Sequence, residues 1–194
     1  MSIVRKILLL TALVVFACAS AACAADFRNV EWGMSMREVM AAETVPLEED
    51  DESDVPEIAC LFGETTVFGL DCELIYFFAN GELKQARYFF FHETRNPNSL
   101  ISHYEKLDRL LMEKYAYPLA REDFMEPDYT GDRGTGLITG KGWMFSEWLL
   151  PDGATIEHEL SGDNNEPYHC IDYYAPGGRD LLDEIEERNA KKML

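Results

Sequence analysis

The stretch ELIYFFANGELKQARYFFF, residues 73–91, decides the fold. Two runs rich in Ile, Tyr and Phe flank Asn80-Gly81, and both turn residues tolerate the positive φ that a tight hairpin needs. The reading is a pair of antiparallel strands, 71–79 and 83–92, preceded by a third at 58–68 with Gly69 at the turn between. Tyr76, Phe77, Phe78, Tyr88, Phe89, Phe90 and Phe91 are too many for one buried face, because neighbours along a strand point to opposite sides. One set is expected beneath the helices 35–44 and 99–115, and the other beneath a dimer mate or the C-terminal helix, or exposed to grip a partner.

Upstream, Trp32-Gly33-Met34-Ser35-Met36-Arg37-Glu38-Val39-Met40 opens a helix. Ser35 with Glu38 forms a capping box, and Met34 with Val39 a hydrophobic staple. This helix, 35–44, ends before Pro46. Downstream, Leu100, Tyr104, Leu107, Leu111 and Tyr115 share one face of a helix over 99–115, stopped by Pro118. Residues 119–136 are polar and read as a long connection. Strands follow at 137–149, 154–160 and 168–174, with a turn at Asp152-Gly153 and a loop at Gly162 to Asn165. A charged surface helix, Asp180 to Lys192, ends the chain.

The fold class expected is α+β: an antiparallel sheet with helices on one face, as a tandem repeat of helix followed by three antiparallel strands. The units are 25–95 and 96–178, sharing a core, with 179–194 as the terminal helix. A shift of 72 residues carries Asn80-Gly81 onto Asp152-Gly153 and Val39 onto Leu111.

Residues 1–24 read as a signal peptide. Arg5 and Lys6 precede an apolar run, Ile7 to Phe16, and small residues follow to Ala25. The expectation is an exported protein, periplasmic or extracellular, with no transmembrane segment in the mature chain. Val15-Phe16-Ala17-Cys18 offers an alternative, lipidation at Cys18 and an outer-membrane lipoprotein. Either route leaves Cys60, Cys72 and Cys170 where disulfides persist. A Cys60–Cys72 bridge and three buried thiols are the two readings.

The opening Trp32 to Met40 resembles the Gly-Met-Ser/Thr-x-x-Glu/Gln-Val helix start of small bacterial envelope proteins, the SmpA/OmlA (BamE) outer-membrane lipoproteins and the β-lactamase-inhibitor-protein fold among them. Lys114-Tyr115-Ala116-Tyr117-Pro118 is similar to the Lys-Tyr-Gly-x-Pro helix ending of uncharacterised secreted bacterial proteins with a Trp-Gly-x-Ser-x-x-Glu-Val start. Ala116 stands where their left-handed Gly cap is expected. The resemblance implies a protein-interaction role and transfers no site.

The four histidines are His92, His103, His158 and His169. If Gly162 to Asn165 is the loop, His158 falls directly opposite His169, with both rings toward an apolar layer. These two are the only metal candidates the spacing offers, with no third or fourth ligand to name. His169 and its neighbour Cys170 alternate across the strand, which separates a thiol from its base. The acid run Glu48-Glu49-Asp50-Asp51-Glu52-Ser53-Asp54 lacks the Gly-punctuated spacing of a calcium loop. No cofactor motif and no catalytic residue emerges.

Formal charge is −19 over 194 residues. That excludes nucleic acid, whose phosphates are bound by neutralising them. The charge is unevenly spread: 13 acids and no base lie between Arg37 and Lys84, and seven acids and no base between Lys141 and Arg179. A partner surface should therefore be basic. The function expected is a non-enzymatic binding protein engaging another protein of the cell envelope. The alternative is a secreted hydrolase using paired carboxylates or a histidine-based metal site.

Overall fold

The computed structural model describes residues 26–50, 55–92 and 96–192. The signal peptide reading and Cys18 lie outside the described residues. The chain runs α1 (Met36–Ala42), β1 (Glu48–Glu49), β2 (Ile58–Val67), β3 (Leu70–Ala79), β4 (Glu82–Phe90), α2 (Asn98–Tyr115), β5 (Ala120–Met125), α3 (Arg133–Ile138), β6 (Gly142–Leu149), β7 (Thr155–Asp163), β8 (Glu166–Tyr174) and α4 (Gly178–Lys192). The strands form one eight-stranded antiparallel sheet in the order β1-β2-β3-β4-β8-β7-β6-β5. The fold is α+β, and each half lays a helix and a short edge strand before three paired strands.

Local chemistry explains the elements. Glu38 accepts from the Ser35 backbone N–H at 2.8 Å and from Ser35 Oγ at 2.7 Å, fixing the start of α1. These bonds hold the Glu38 carboxyl below the usual range. On α2, Leu100, Tyr104, Leu107 and Leu111 are buried, the single stripe their spacing requires. The hairpin turns Asn80-Gly81 and Asn164-Asn165 have φ of 54° and 80°, and 52° and 69°, the mirror-image turns that match strand twist.

Alternation sorts the aromatic residues as expected. Tyr76, Phe78, Tyr88 and Phe90 join the main core with Val39, Leu107, Leu111 and Trp148. Phe77 and Phe89 turn to the other face, where Leu182 and Ile185 of α4 pack on Ile58, Cys60 and Ile75. Thus α1 to α3 share one face, and α4 crosses to cover part of the opposite one.

Two expectations are corrected. The connection 119–136 contains β5 and most of α3. β5 is an edge strand with Arg121, Glu122 and Asp123 exposed, so charge that guards an edge erases the apolar alternation. In α3, Gly134 and Gly136 speak against a helix by propensity. Asp132 nonetheless caps it by accepting from Thr135 N–H at 3.0 Å, and a Cβ on Gly134 would collide with the Pro97–Asn98 backbone of α2.

Candidate functional site

All four histidines gather between α2 and the sheet, His103 on the helix itself. β7 and β8 join through the two-residue turn Asn164-Asn165, so the register pairs His158 with Ile171 and His169 with Leu160. His158 and His169 are therefore diagonal neighbours, two positions from the directly opposed pairing expected of a four-residue loop. Both rings are fully buried. His158 Nε2 lies 3.0 Å from His169 Nε2, and His169 Nδ1 lies 2.7 Å from His92 Nε2. His92 stacks on His103 of α2 with ring centroids 5.5 Å apart. At the inner end, His158 stacks on Tyr104 at 3.9 Å, and its Nδ1 is 3.7 Å from Asp108 Oδ1, a charge contact beyond hydrogen-bond length. Asp108, buried on α2, also meets Arg121 Nη2 of β5 at 3.1 Å.

Burial keeps His92, His158 and His169 neutral. It lowers His92 to about 4, with His103 adding repulsion. It carries His169 well below the ordinary value, with His158, His92 and His103 contributing. It also lowers His158, against the pull of Asp108. Burial works to raise the Asp108 carboxyl, but His158, Ser146 and Arg121 outweigh it and hold it below the usual range. A neutral imidazole donates through one nitrogen and accepts through the other. With Nδ1–H of His158 toward the Asp108 carboxylate, His158 Nε2 accepts from His169 Nε2–H. His169 Nδ1 then accepts from His92 Nε2–H. His158, His169 and His92 form a hydrogen-bonded file with one polarity. His169, the middle ring, spends both nitrogens on neighbours, and no three ligating side chains converge on one point among the described residues. His158 and His169, the metal candidates, are thus brought together as links of a file.

The cysteines are not brought together. Cys60 faces α4 opposite Phe77, whereas Cys72 sits in the main core opposite Thr65. They stand on different faces, five residues out of register, roughly 16 Å along the strands, beyond any disulfide. The Cys60–Cys72 bridge is overturned, and Cys60, Cys72 and Cys170 are free, buried thiols. Burial pushes Cys60 up to about 11 and Cys72 to about 12, so neither is a thiolate at neutral pH. Cys170 faces away from His169, its Sγ 3.3 Å from Asp172.

The α4 face carries a second constellation. The register aligns Glu64, Glu73, Phe89, Cys170, Glu159, Phe145 and Glu122 in one rung across seven strands. Four carboxylates and no base stand on it. Burial and the facing Glu64 raise the Glu73 carboxyl. Beside this rung are Phe91, Phe124 and Trp143, which are 47%, 36% and 39% exposed; Phe124 and Trp143 stack at 4.2 Å. The next rung toward α4 holds Arg87, Asp172, Glu157 and Glu147. There Arg87 grips Asp172 through two bonds of 2.7 and 3.1 Å, and Arg179 of α4 bonds Glu157.

His92 and His103 escape sequence reasoning because their approach depends on the β4–β8 pairing, which brings together residues about 80 positions apart. The charge distribution did signal the acidic rung.

No protein-family model matches the chain, and no curated protein or solved structure matches it either.

Proposed function

We propose that the chain is a non-enzymatic binding protein of the cell envelope that docks a basic protein surface on the open part of its α4 face. The observation carrying this reading is the rung of four carboxylates interleaved with Phe89 and Phe145 and bordered by half-exposed Trp143, Phe124 and Phe91. α4 packs over Ile58, Cys60, Ile75 and Ala79 and leaves the β5–β6 end of the face uncovered. Exposed aromatic rings on a rigid sheet are the usual anchors of an interface, and an apolar patch rimmed by one sign of charge selects the opposite sign. Within the rung no Lys or Arg neutralises the acids, so a complementary basic surface gains where a neutral one does not.

The test is site-specific photo-crosslinking in the native host. A benzophenone amino acid at Trp143 should capture a protein of basic surface. The same group at Arg109, exposed on α2, should capture none. Raising the salt to about 0.5 M, where the Debye length falls to roughly 4 Å, should abolish capture, as should the triple change Glu64→Lys, Glu122→Lys, Glu159→Lys. Equal capture from both faces, or capture indifferent to salt and charge reversal, would sink the proposal.

A further inference from the structure

The face under α2 carries a separate feature. Between α2 and the β2–β3 hairpin lies a cleft of about 410 Å³, within the size range of small-molecule sites. Leu107, Leu110 and Leu111 form its helical wall, and Tyr88, Ile171 and Tyr173 its floor. Phe68 stands at the lip, 58% exposed.

Phe68 is the anomaly. It occupies the first turn position of the β2–β3 hairpin at φ 51°, followed by Gly69 at φ 83°. The other two-residue turns of the sheet use Asn80-Gly81 and Asn164-Asn165, residues that accept this backbone. A bulky side chain there is strained, and an exposed apolar ring gains nothing from water. Lys106 Nζ of α2 donates to the Phe68 carbonyl at 2.9 Å and ties the strained turn to the cleft wall. Strain kept where an easier residue would serve points to a ligand-facing role.

We infer that this cleft binds a single-chain anionic amphiphile, its apolar chain along Leu107, Leu111 and Ile171 under the Phe68 ring and its anionic end beside Lys114. The apolar lining sets the body of the ligand. The rim sets its charge: Lys114 stands there with Glu113, and Lys106 adds a second cation at the Phe68 carbonyl. In a chain of charge −19, Lys114 on the lining and Lys106 held at the Phe68 carbonyl bring two ammonium groups to the lip of an apolar slot. A free fatty acid and an anionic lysolipid share the required chemistry.

Calorimetric titration of the purified full chain tests it, with each ligand below its micelle threshold. Dodecanoate should bind with one-to-one stoichiometry, dodecanol more weakly, and dodecyltrimethylammonium not measurably. Lysophosphatidylglycerol separates the sources: tighter binding than dodecanoate identifies a lipid headgroup, and weaker binding a free acid. Phe68→Gly relieves the turn, so it should melt at or above the wild-type temperature yet bind dodecanoate at least tenfold more weakly. Lys114→Glu should weaken dodecanoate several-fold and leave dodecanol unchanged. Absence of dodecanoate binding, equal binding of the cationic amphiphile, or full affinity in Phe68→Gly would overturn the inference.

Discussion

Arg28, Phe68 and Ala116 hold a positive φ that their side chains resist, and the contexts of the last two differ. Phe68 lies at the lip of a cleft, whereas Ala116 terminates α2 at φ 67°, ψ −160°, a region nearly reserved for glycine. Its position was legible in the Lys-Tyr-Ala-Tyr-Pro ending, because a helix closing before Pro needs a left-handed residue. The Ala116 carbonyl accepts from Trp148 Nε1 at 2.9 Å, so the core indole fixes this geometry whatever residue stands there. Ala116→Gly removes the Cβ penalty and keeps that bond. It should stabilise the protein by about 1 kcal/mol, a rise of roughly 3 °C in melting temperature, measured by calorimetry. A lower melting temperature would mean that the methyl packs usefully.

Elements were legible where apolar periodicity was free to show itself. β2, β3, β4 and α2 fall within a residue or two of their expected bounds, because each buries one alternating or helical stripe. β5 and α3 were not, since edge charge and close-approach glycines mask their patterns. The β7–β8 register slipped by two because Gly162 and Asp163 extend the strand where composition suggests loop; the face of each histidine survived this error, since an even slip preserves parity. The file these elements build makes stability depend on pH. Burial lowers the folded-state value of His92 to about 4 from 6.5, so the unfolded chain binds the proton first as pH falls. The contribution of neutral His92 is complete above pH 6.5 and is lost on descending toward 4. His169 and His158 shift in the same direction. Glu157 shifts oppositely, raised by burial to about 7, so its burial costs stability above pH 4.5 and fully above 7. Comparing His92→Gln with the wild type cancels the groups outside the file. The variant should gain about 2 kcal/mol relative to wild type between pH 7.5 and 4.5, by urea midpoints. A pH-independent difference would place His92 in water.

Among the described residues the order of a helix before three antiparallel strands occurs twice, and the structure corrects the period expected of it. A shift of 84 residues carries β2 onto β6, β3 onto β7 and β4 onto β8, and it takes the turns Asn80-Gly81 onto Asn164-Asn165 and Phe68-Gly69 onto Asp152-Gly153. The shift of 72 matched turns of similar composition but from different hairpins. The helices do not obey the same shift, because α1 has 7 residues and α2 has 18; the longer helix is what reaches the histidines and walls the cleft. The halves meet at β4 and β8, over only five register pairs. Yet the main core crosses that seam, with Ile156, Ile171 and Tyr173 packed among residues of the first half. On the opposite face Asp172 binds both Arg87 and Gln85, the latter at 2.6 Å. A shared core predicts one cooperative transition, and a semi-buried ion pair predicts asymmetry between breaking and replacing it. Arg87→Met or Asp172→Leu alone strands a partner and should cost roughly 3 kcal/mol. The double change removes both charges from the seam and should recover most of that loss. Unfolding followed by far-ultraviolet circular dichroism and by tryptophan fluorescence should remain coincident in all four proteins. Biphasic melting in the single variants would mean that the halves fold as separate units merely docked at β4 and β8.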